Sequence, residues 1–415
     1  MNFISGFRLI VSAFAFTGLL GCDPGDDATT EISVAQSEPE LTSLKYDLIN
    51  DNLEPRLKYG LLPNGFYQPQ LARDWTPLPL EQQKASLISQ SRFMYIMAMG
   101  YEVTSDPRYL SALELSSGYL LEHFLNPHFP GHWYSEVTPD GTVTNPGFHA
   151  YGHAHVLLAL SHAFKVTGDP KFKEAAFQTW LALGVPSAIA GKNQFYELHG
   201  LNVAMHLFES LLVFYKATEL PMVYDDLTAL GEYIVSHFYS PKGGFFGEGL
   251  TADLQLEADG EIRLGHSIEM AFLLSRAVAV GLPSRYLQAA NTSVDFVAAI
   301  AAKNPQGLIP HTADFNGDVK DPTYYWWPQT ELLRALAHFS VQRDRTDLQA
   351  QLEKSRALIR KQFLDTEFKG WYGNPDEKGK NKGHQWKVGY HVIMMQTELM
   401  RLHGAEFRSG SEVLL

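Results

Sequence analysis

Among 415 residues there is one cysteine, Cys22. An internal disulfide is therefore excluded, and so is any metal site built on cysteine thiolates. Basic residues are in the minority, 33 Lys and Arg against 46 Asp and Glu, for a formal charge of −13. That balance argues against nucleic acid, an anionic membrane face or an acidic polysaccharide as partner. No Pro/Gly/Ser-rich linker or compositional break divides the chain after residue 45. An undivided stretch of about 370 residues exceeds a typical domain, which leaves two tightly joined domains or one large architecture of repeats. Long strands are missing as well. "GHWYSEV", "GGFFGEG" and "GLIPHTADF" are short and read as loops or small hairpins.

The first residues look like a leader. Met1–Gly21 carries one basic residue, Arg8, followed by the apolar run Leu9–Leu20. The run is too short to span a bilayer and has the make-up of a secretory signal. Its ending, "LLGC", is similar to a bacterial lipobox, which would make Cys22 the lipidated first residue of the mature chain. Removing residues 1–21 takes away Arg8 and no acid, so the charge moves from −13 to −14. Residues 22–45 are acidic and rich in small polar residues, as in a flexible tether. The expectation is an exported bacterial lipoprotein that touches the membrane only through its lipid and faces the periplasm from the inner or outer membrane. Residues 46–415 would form the catalytic domain.

That body reads as amphipathic helix. "EQQKASLISQSRFMYIMAMGYEVT", "AYGHAHVLLALSHAFKVTG", "MHLFESLLVFYKATE", "GHSIEMAFLLSRAVAVG" and "WPQTELLRALAHFSVQ" each repeat apolar residues at i, i+3, i+4 and i+7. Unusual polar residues recur along them. Arg92, Tyr151, His206, His266, Glu331 and His391 are separated by 59, 55, 60, 65 and 60 positions. About sixty residues is one helical hairpin with its loops, and repeats of placement count as repeats. Six hairpins closed in a ring would aim one polar group each at a common axis. The fold class expected is therefore all-α, an (α/α)6 barrel.

Each polar residue also has an unremarkable alternative. Arg92, on the apolar side of its helix, either snorkels to a rim or reaches into a cavity, where its planar donors suit an oxyanion or a sugar oxygen. His206 with Glu209, and His266 with Glu269, repeat an H-x-x-E spacing. A carboxylate three residues on can orient an imidazole and raise its basicity for proton transfer; the plainer reading is a pair of satisfied helix-start polar groups. Reversed Glu-x-x-His motifs hold iron in four-helix bundles, but no further carboxylate ligands stand out here, and no metal is expected. "YYWWPQTELL" puts Trp326 and Trp327 beside Gln329 and Glu331, a mixture that suits the flat apolar face and hydroxyls of a sugar. "WKVGYH", Trp386 to His391, opens the last apolar helix with a lysine, a tyrosine and a histidine.

Taken in order, "QSRFMYIMAMGYEVTSDPRYL", "GHWYSEVTPDGTV", "YGHAHVLLALSHAFKVTGDPKF", "NVAMHLFESLL", "GHSIEMAFLL", "WWPQTELLRAL" and "WKVGYH" resemble the N-acylglucosamine 2-epimerase superfamily over roughly residues 60 to 400. That superfamily includes cellobiose and mannose 2-epimerases and mannose isomerases, and its fold is an (α/α)6 barrel. The resemblance implies that His266 and His391 are the acid/base pair and that Arg92 is the family arginine. It also places His206 and Glu209 on the family's middle H-x-x-E. Two departures stand out. The usual E-W-[AS]-W is "EMAF", with Met270 and Phe272 in place of tryptophan, and the usual arginine three residues after Y-H is Met394. Both are expected to reshape the sugar subsite.

The implied chemistry is a cofactor-independent C2 proton transfer on an open-chain sugar, with Arg92 at the enediolate oxygen and Glu269 orienting His266. Tyr151, His206, Glu209, Trp326, Trp327, Glu331 and Trp386 are expected to contact the small carbohydrate. Return of the proton to C2 gives a 2-epimer; delivery to C1 gives a ketose. Glu209, Glu269 and Glu331 also leave open an (α/α)6 glycoside hydrolase or lyase, and a lipoprotein that only binds sugar is a further alternative.

Overall fold

The computed structural model describes residues 34–258, 260–410 and 414–415. The expected signal sequence and Cys22 lie outside the described residues. Fourteen α-helices are described: α1 (Val34–Leu48), α2 (Glu54–Gly60), α3 (Leu87–Thr104), α4 (Pro107–His123), α5 (Ala150–Thr167), α6 (Pro170–Leu183), α7 (Val185–Ile189), α8 (Leu201–Thr218), α9 (Pro221–His237), α10 (Leu264–Ala279), α11 (Tyr286–Lys303), α12 (Trp326–Gln342), α13 (Gln349–Phe363) and α14 (Tyr390–Leu402).

Six of them, α3, α5, α8, α10, α12 and α14, pack each on the next, and α14 returns to α3. They form a closed inner ring. Their sequences are apolar nearly all round and are buried nearly all round, as a helix enclosed by neighbours must be. The outer helices α4, α6, α9, α11 and α13 each pack on the inner helix preceding them. The sixth outer position is filled from the other end of the chain, by α1 against α14. Residues 34–45, expected in the tether, are therefore helical. Leu41, Leu44 and Leu48 give α1 an apolar stripe, and Leu44 and Leu48 are buried in the core.

The inner-to-outer turns repeat one device. Ser105 and Gly168 are left-handed, with φ of 56° and 71°, and Asp106 and Asp169 then cap α4 and α6 by accepting from the backbone N–H two residues on. A proline follows each cap at the first helical position, where its missing N–H costs nothing. At the other end of the barrel lie three small antiparallel sheets. They comprise β1 (Ala85–Ser86), β2 (Glu136–Val137) and β3 (Val143–Asn145), then β4 (Tyr239–Ser240) with β5 (Phe245–Phe246), then β6 (Ile262–Arg263), β7 (Thr312–Ala313) and β8 (Val319–Asp321). The three stretches read as loops or hairpins hold β2, β5 and β7. No helix among the described residues is long and apolar enough to cross a membrane.

Candidate active site

The spaced polar residues fall one to each inner helix, near its N-terminal end. Arg92, Tyr151, His206, His266 and His391 line a single cavity of about 290 Å³. Trp326 and Trp327 from the start of α12, and Trp386 from the loop before α14, complete the aromatic part of its wall. Helix N-termini carry partial positive charge, so this end of the ring favours an anion.

The arginine is fixed rather than snorkelling. Arg92 Nη1 donates to the Trp386 carbonyl at 3.0 Å and Nη2 to the Tyr151 hydroxyl at 2.7 Å. Its guanidinium lies over the Tyr390 ring, 4.7 Å from the centroid.

Two histidines pack against Trp327, whose ring centroid is 4.9 Å from that of His266 and 5.7 Å from that of His391. Gly265 makes that approach possible, since a Cβ there would meet the Trp327 ring at 2.3 Å. Each imidazole is held through Nδ1 by a carboxylate, which directs Nε2 away from its carboxylate partner. His391 Nδ1 is 2.8 Å from Glu331 Oε1. His266 Nδ1 is 2.8 Å from Glu248 Oε1. The orienter of His266 is thus Glu248, from the loop after β5, and not Glu269. The same three-residue spacing does give a contact on α8, where His206 Nδ1 is 3.0 Å from Glu209 Oε2.

Glu209, Glu269 and Glu331 are wholly buried and lie outside the cavity lining. Glu209 and Glu331, expected at the sugar, stand with Glu269 in a layer behind the histidines instead of in the cavity wall. Burial would raise the Glu209 carboxyl, but hydrogen bonds from His206 and the Tyr390 hydroxyl, with Arg334 nearby, hold it below its ordinary value. Burial lifts Glu331 to about 7, although Arg334 Nη2 is 2.6 Å from its Oε2 and pulls the other way. Glu269 is driven well above the usual range by burial and then by Glu331 and Glu209. Neither of its oxygens has a hydrogen-bond partner among the described residues, which favours its protonated form. Burial, then Arg92, His206 and Arg334, pushes His391 well below the ordinary histidine value, leaving a neutral imidazole. His206 is lowered by burial against the opposing pull of Glu209.

Two sets of groups have spacing that could hold a cation, His206 with Glu209 and Glu269, and Glu269 with Glu331 and His391. Arg334 already supplies a positive charge inside that layer. The two departures from the family pattern also lie there. Met270, Phe272 and Met394 are buried behind the site and are not part of the cavity wall, so they do not shape the sugar subsite directly.

Asn202, Arg263 and His311 line the cavity and were not singled out from sequence, nor were Glu248 and Arg334. Glu248 carried a usable signal, being the one acid in the aromatic loop "GGFFGEG". Lys387, conspicuous in "WKVGYH", is structural: buried, it donates to the carbonyls of Trp371 and Lys382, both at 2.6 Å.

The model of the N-acylglucosamine 2-epimerase family matches residues 65–395. A D-mannose isomerase of Marinomonas mediterranea is 24% identical over 352 residues, 76% of this chain and 86% of that protein. The solved cellobiose 2-epimerase of Spirochaeta thermophila superposes with a TM-score of 0.80 at 20% identity, covering 90% of this chain and 98% of its own. A solved D-mannose isomerase gives 0.79 at 21% identity, covering 87% and 97%.

Proposed function

Because the chain belongs to the N-acylglucosamine 2-epimerase family, we propose that it is a cofactor-independent sugar isomerase whose reaction is 2-epimerisation of a mannose- or glucose-type or N-acylated hexose, free or as the reducing unit of a disaccharide. The observation that carries this reading is the pair His266 and His391, each held through Nδ1 by a carboxylate and both packed on Trp327. One imidazole takes the C2 proton of the open-chain aldose. The C2–H electrons form the C1–C2 double bond, and the carbonyl π pair moves to O1, giving a cis-enediolate. Arg92 and the helix N-termini favour that oxyanion. The second histidine, carrying a proton taken from solvent, delivers it to the opposite face of C2, the carbonyl re-forms, the first histidine releases its proton to solvent, and the configuration inverts with no net oxidation.

A cavity of about 290 Å³ is at the small end for ligand sites, which run from about 300 to 1,000 Å³, and favours one hexose inside with any further unit at the mouth. Aldose–ketose isomerisation is the second reading, supported by the likeness to D-mannose isomerases; it differs in that the O2 proton passes to O1, the carbonyl forms at C2 and the proton is delivered to C1. Proton NMR with mannose, glucose, N-acetylmannosamine and cellobiose in deuterated water separates the two. A 2-epimer with deuterium at C2 supports the proposal, and a ketose with deuterium at C1 replaces it with the second reading. Absence of exchange with every sugar, from folded protein, would move the reading to the hydrolase or lyase alternative.

The lipobox-like "LLGC" supports an exported protein anchored through Cys22, so that substrate is met outside the cytoplasm. Cys22→Ser should move the protein from the membrane to the soluble fraction; unchanged membrane recovery would sink the anchor.

A further inference from the structure

Arg334 is the one cation in the buried layer among the described residues, and the function proposed above does not by itself account for it. It is 1% exposed. Nη2 is 2.6 Å from Glu331 Oε2 and 3.7 Å from Glu269 Oε1. Two further neighbours, Met394 and Phe272, are among the positions where the sequence leaves the family pattern. Nη1 is 3.1 Å from the sulfur of Met394, and the guanidinium carbon lies 4.2 Å from the centroid of the Phe272 ring. An unbranched thioether and a phenyl ring make a soft, apolar cradle that a planar cation can occupy. Both departures therefore surround one guanidinium, carried on α12 beside Glu331 instead of on α14 beside His391.

We propose that Arg334 is a positioning residue that takes over, from α12, the place of the arginine that the family pattern puts at position 394, and that it acts on the reaction by favouring the carboxylate form of Glu331 and keeping it aimed at His391 Nδ1. This rests on the reading of His391 as an acid/base group. The groups around Glu331 leave no other candidate for the task among the described residues. Arg334 faces it from α12, His391 from α14, Glu269 from α10, Glu209 and His206 from α8, and Tyr95 from α3. Of these only Arg334 carries a permanent positive charge. Without it three carboxyls would share one apolar layer, and Glu331 would keep its proton at neutral pH. A protonated Glu331 ceases to be the anion that stabilises an imidazolium at His391.

The test uses the full chain with Arg334→Met, Arg334→Lys and the exchange Arg334→Met with Met394→Arg. Arg334→Met is expected to lower kcat about tenfold to a hundredfold, as loss of an outer partner does, with KM little changed. Its loss should be partly repaired above neutral pH, where Glu331 ionises unaided. Arg334→Lys should retain an intermediate rate, and the exchange should restore both rate and pH profile. Wild-type kcat and pH profile in folded Arg334→Met would overturn the proposal. So would an exchange variant that folds yet stays as slow as Arg334→Met, or one that fails to fold. If Arg334→Met itself does not fold, the exchange decides alone.

Failure of the functional reading is recognised separately, by a wild type that exchanges no C2 proton on any sugar. In that event the His391 titration, followed by NMR of labelled histidine, reports on Arg334 without substrate. A titration unchanged in Arg334→Met and Arg334→Lys would count against the proposal; one displaced by Arg334→Met and returned by the exchange would support it.

Discussion

The two sides of the cavity solve one problem with different materials. His266 is held by Glu248, a loop residue at the rim whose side chain keeps 13% exposure and has Arg263 3.8 Å away. His391 is held by Glu331, a fully buried residue on the neighbouring inner helix, backed by Arg334 and Glu269. A loop carboxylate in contact with water can shift with its loop and be replaced by solvent. A carboxylate in a dry helix layer has no substitute, and its charge depends on every neighbour. One histidine–carboxylate pair is thus adjustable and the other is locked to the frame of the barrel.

The comparison breaks first if either imidazole is dispensable. His391→Ala and His266→Ala should each lower the rate of C2 proton exchange by about 10²- to 10⁴-fold, the usual contribution of a positioned acid/base. Deuterium incorporation measures this directly. A carboxylate-only hydrolase would lose far less on removal of His391.

The asymmetry itself is tested one residue further out. Glu331→Gln should cost about a hundredfold in kcat and Glu248→Gln nearer tenfold, the two ends of the range for an outer partner. Equal losses would show that rim and core carboxylates serve their histidines alike.

Titration of the buried pair sharpens this. Glu331 has a folded-state pKa of about 7 against an ordinary 4.5. A group raised on folding favours the folded state fully below its unfolded value, and that contribution is lost as pH rises through the folded value. The window is therefore pH 4.5 to 7, and the stability of the wild type should fall across it relative to Glu331→Gln. Denaturation midpoints of the pair at several pH values measure the difference; parallel curves would remove Glu331 from the account.

What could be read in the sequence follows from where the partners lie. The ring of six was legible because one polar residue per inner helix recurs near every sixty positions, and helical periodicity survives in the apolar residues between. His206 with Glu209 was legible because both partners share one helical face. His266 misled for the same reason: the local partner Glu269 was three residues away, while the actual partner arrives from a loop with no periodic signal. Arg334 lies three residues after Glu331 but reads like any polar residue of an amphipathic helix until α14 and α10 are folded against it. Residues 34–45 looked like tether because their composition is polar, and their apolar stripe gains meaning only when α14, near the other end of the chain, supplies the surface to cover it.

The smallest expected effect lies between the two pairs, at the mouth. Trp386 is 45% exposed, its ring 6.3 Å from that of Tyr151, while its backbone carbonyl receives Arg92 Nη1. Replacing it with alanine removes the indole and keeps the carbonyl, so Arg92 stays in place and both histidine–glutamate pairs are untouched. An exposed aromatic face contributes about 1 kcal/mol to packing on a sugar, which is roughly a fivefold change in binding. Trp386→Ala should therefore raise KM about fivefold and leave kcat near the wild-type value. Steady-state kinetics on a hexose and on its disaccharide decide what the indole touches. A larger KM rise for the disaccharide places a second sugar unit on Trp386, and equal rises place the indole against the reacting unit. A fall in kcat instead would mean that the indole, and not only the carbonyl behind it, holds Arg92 at the enediolate.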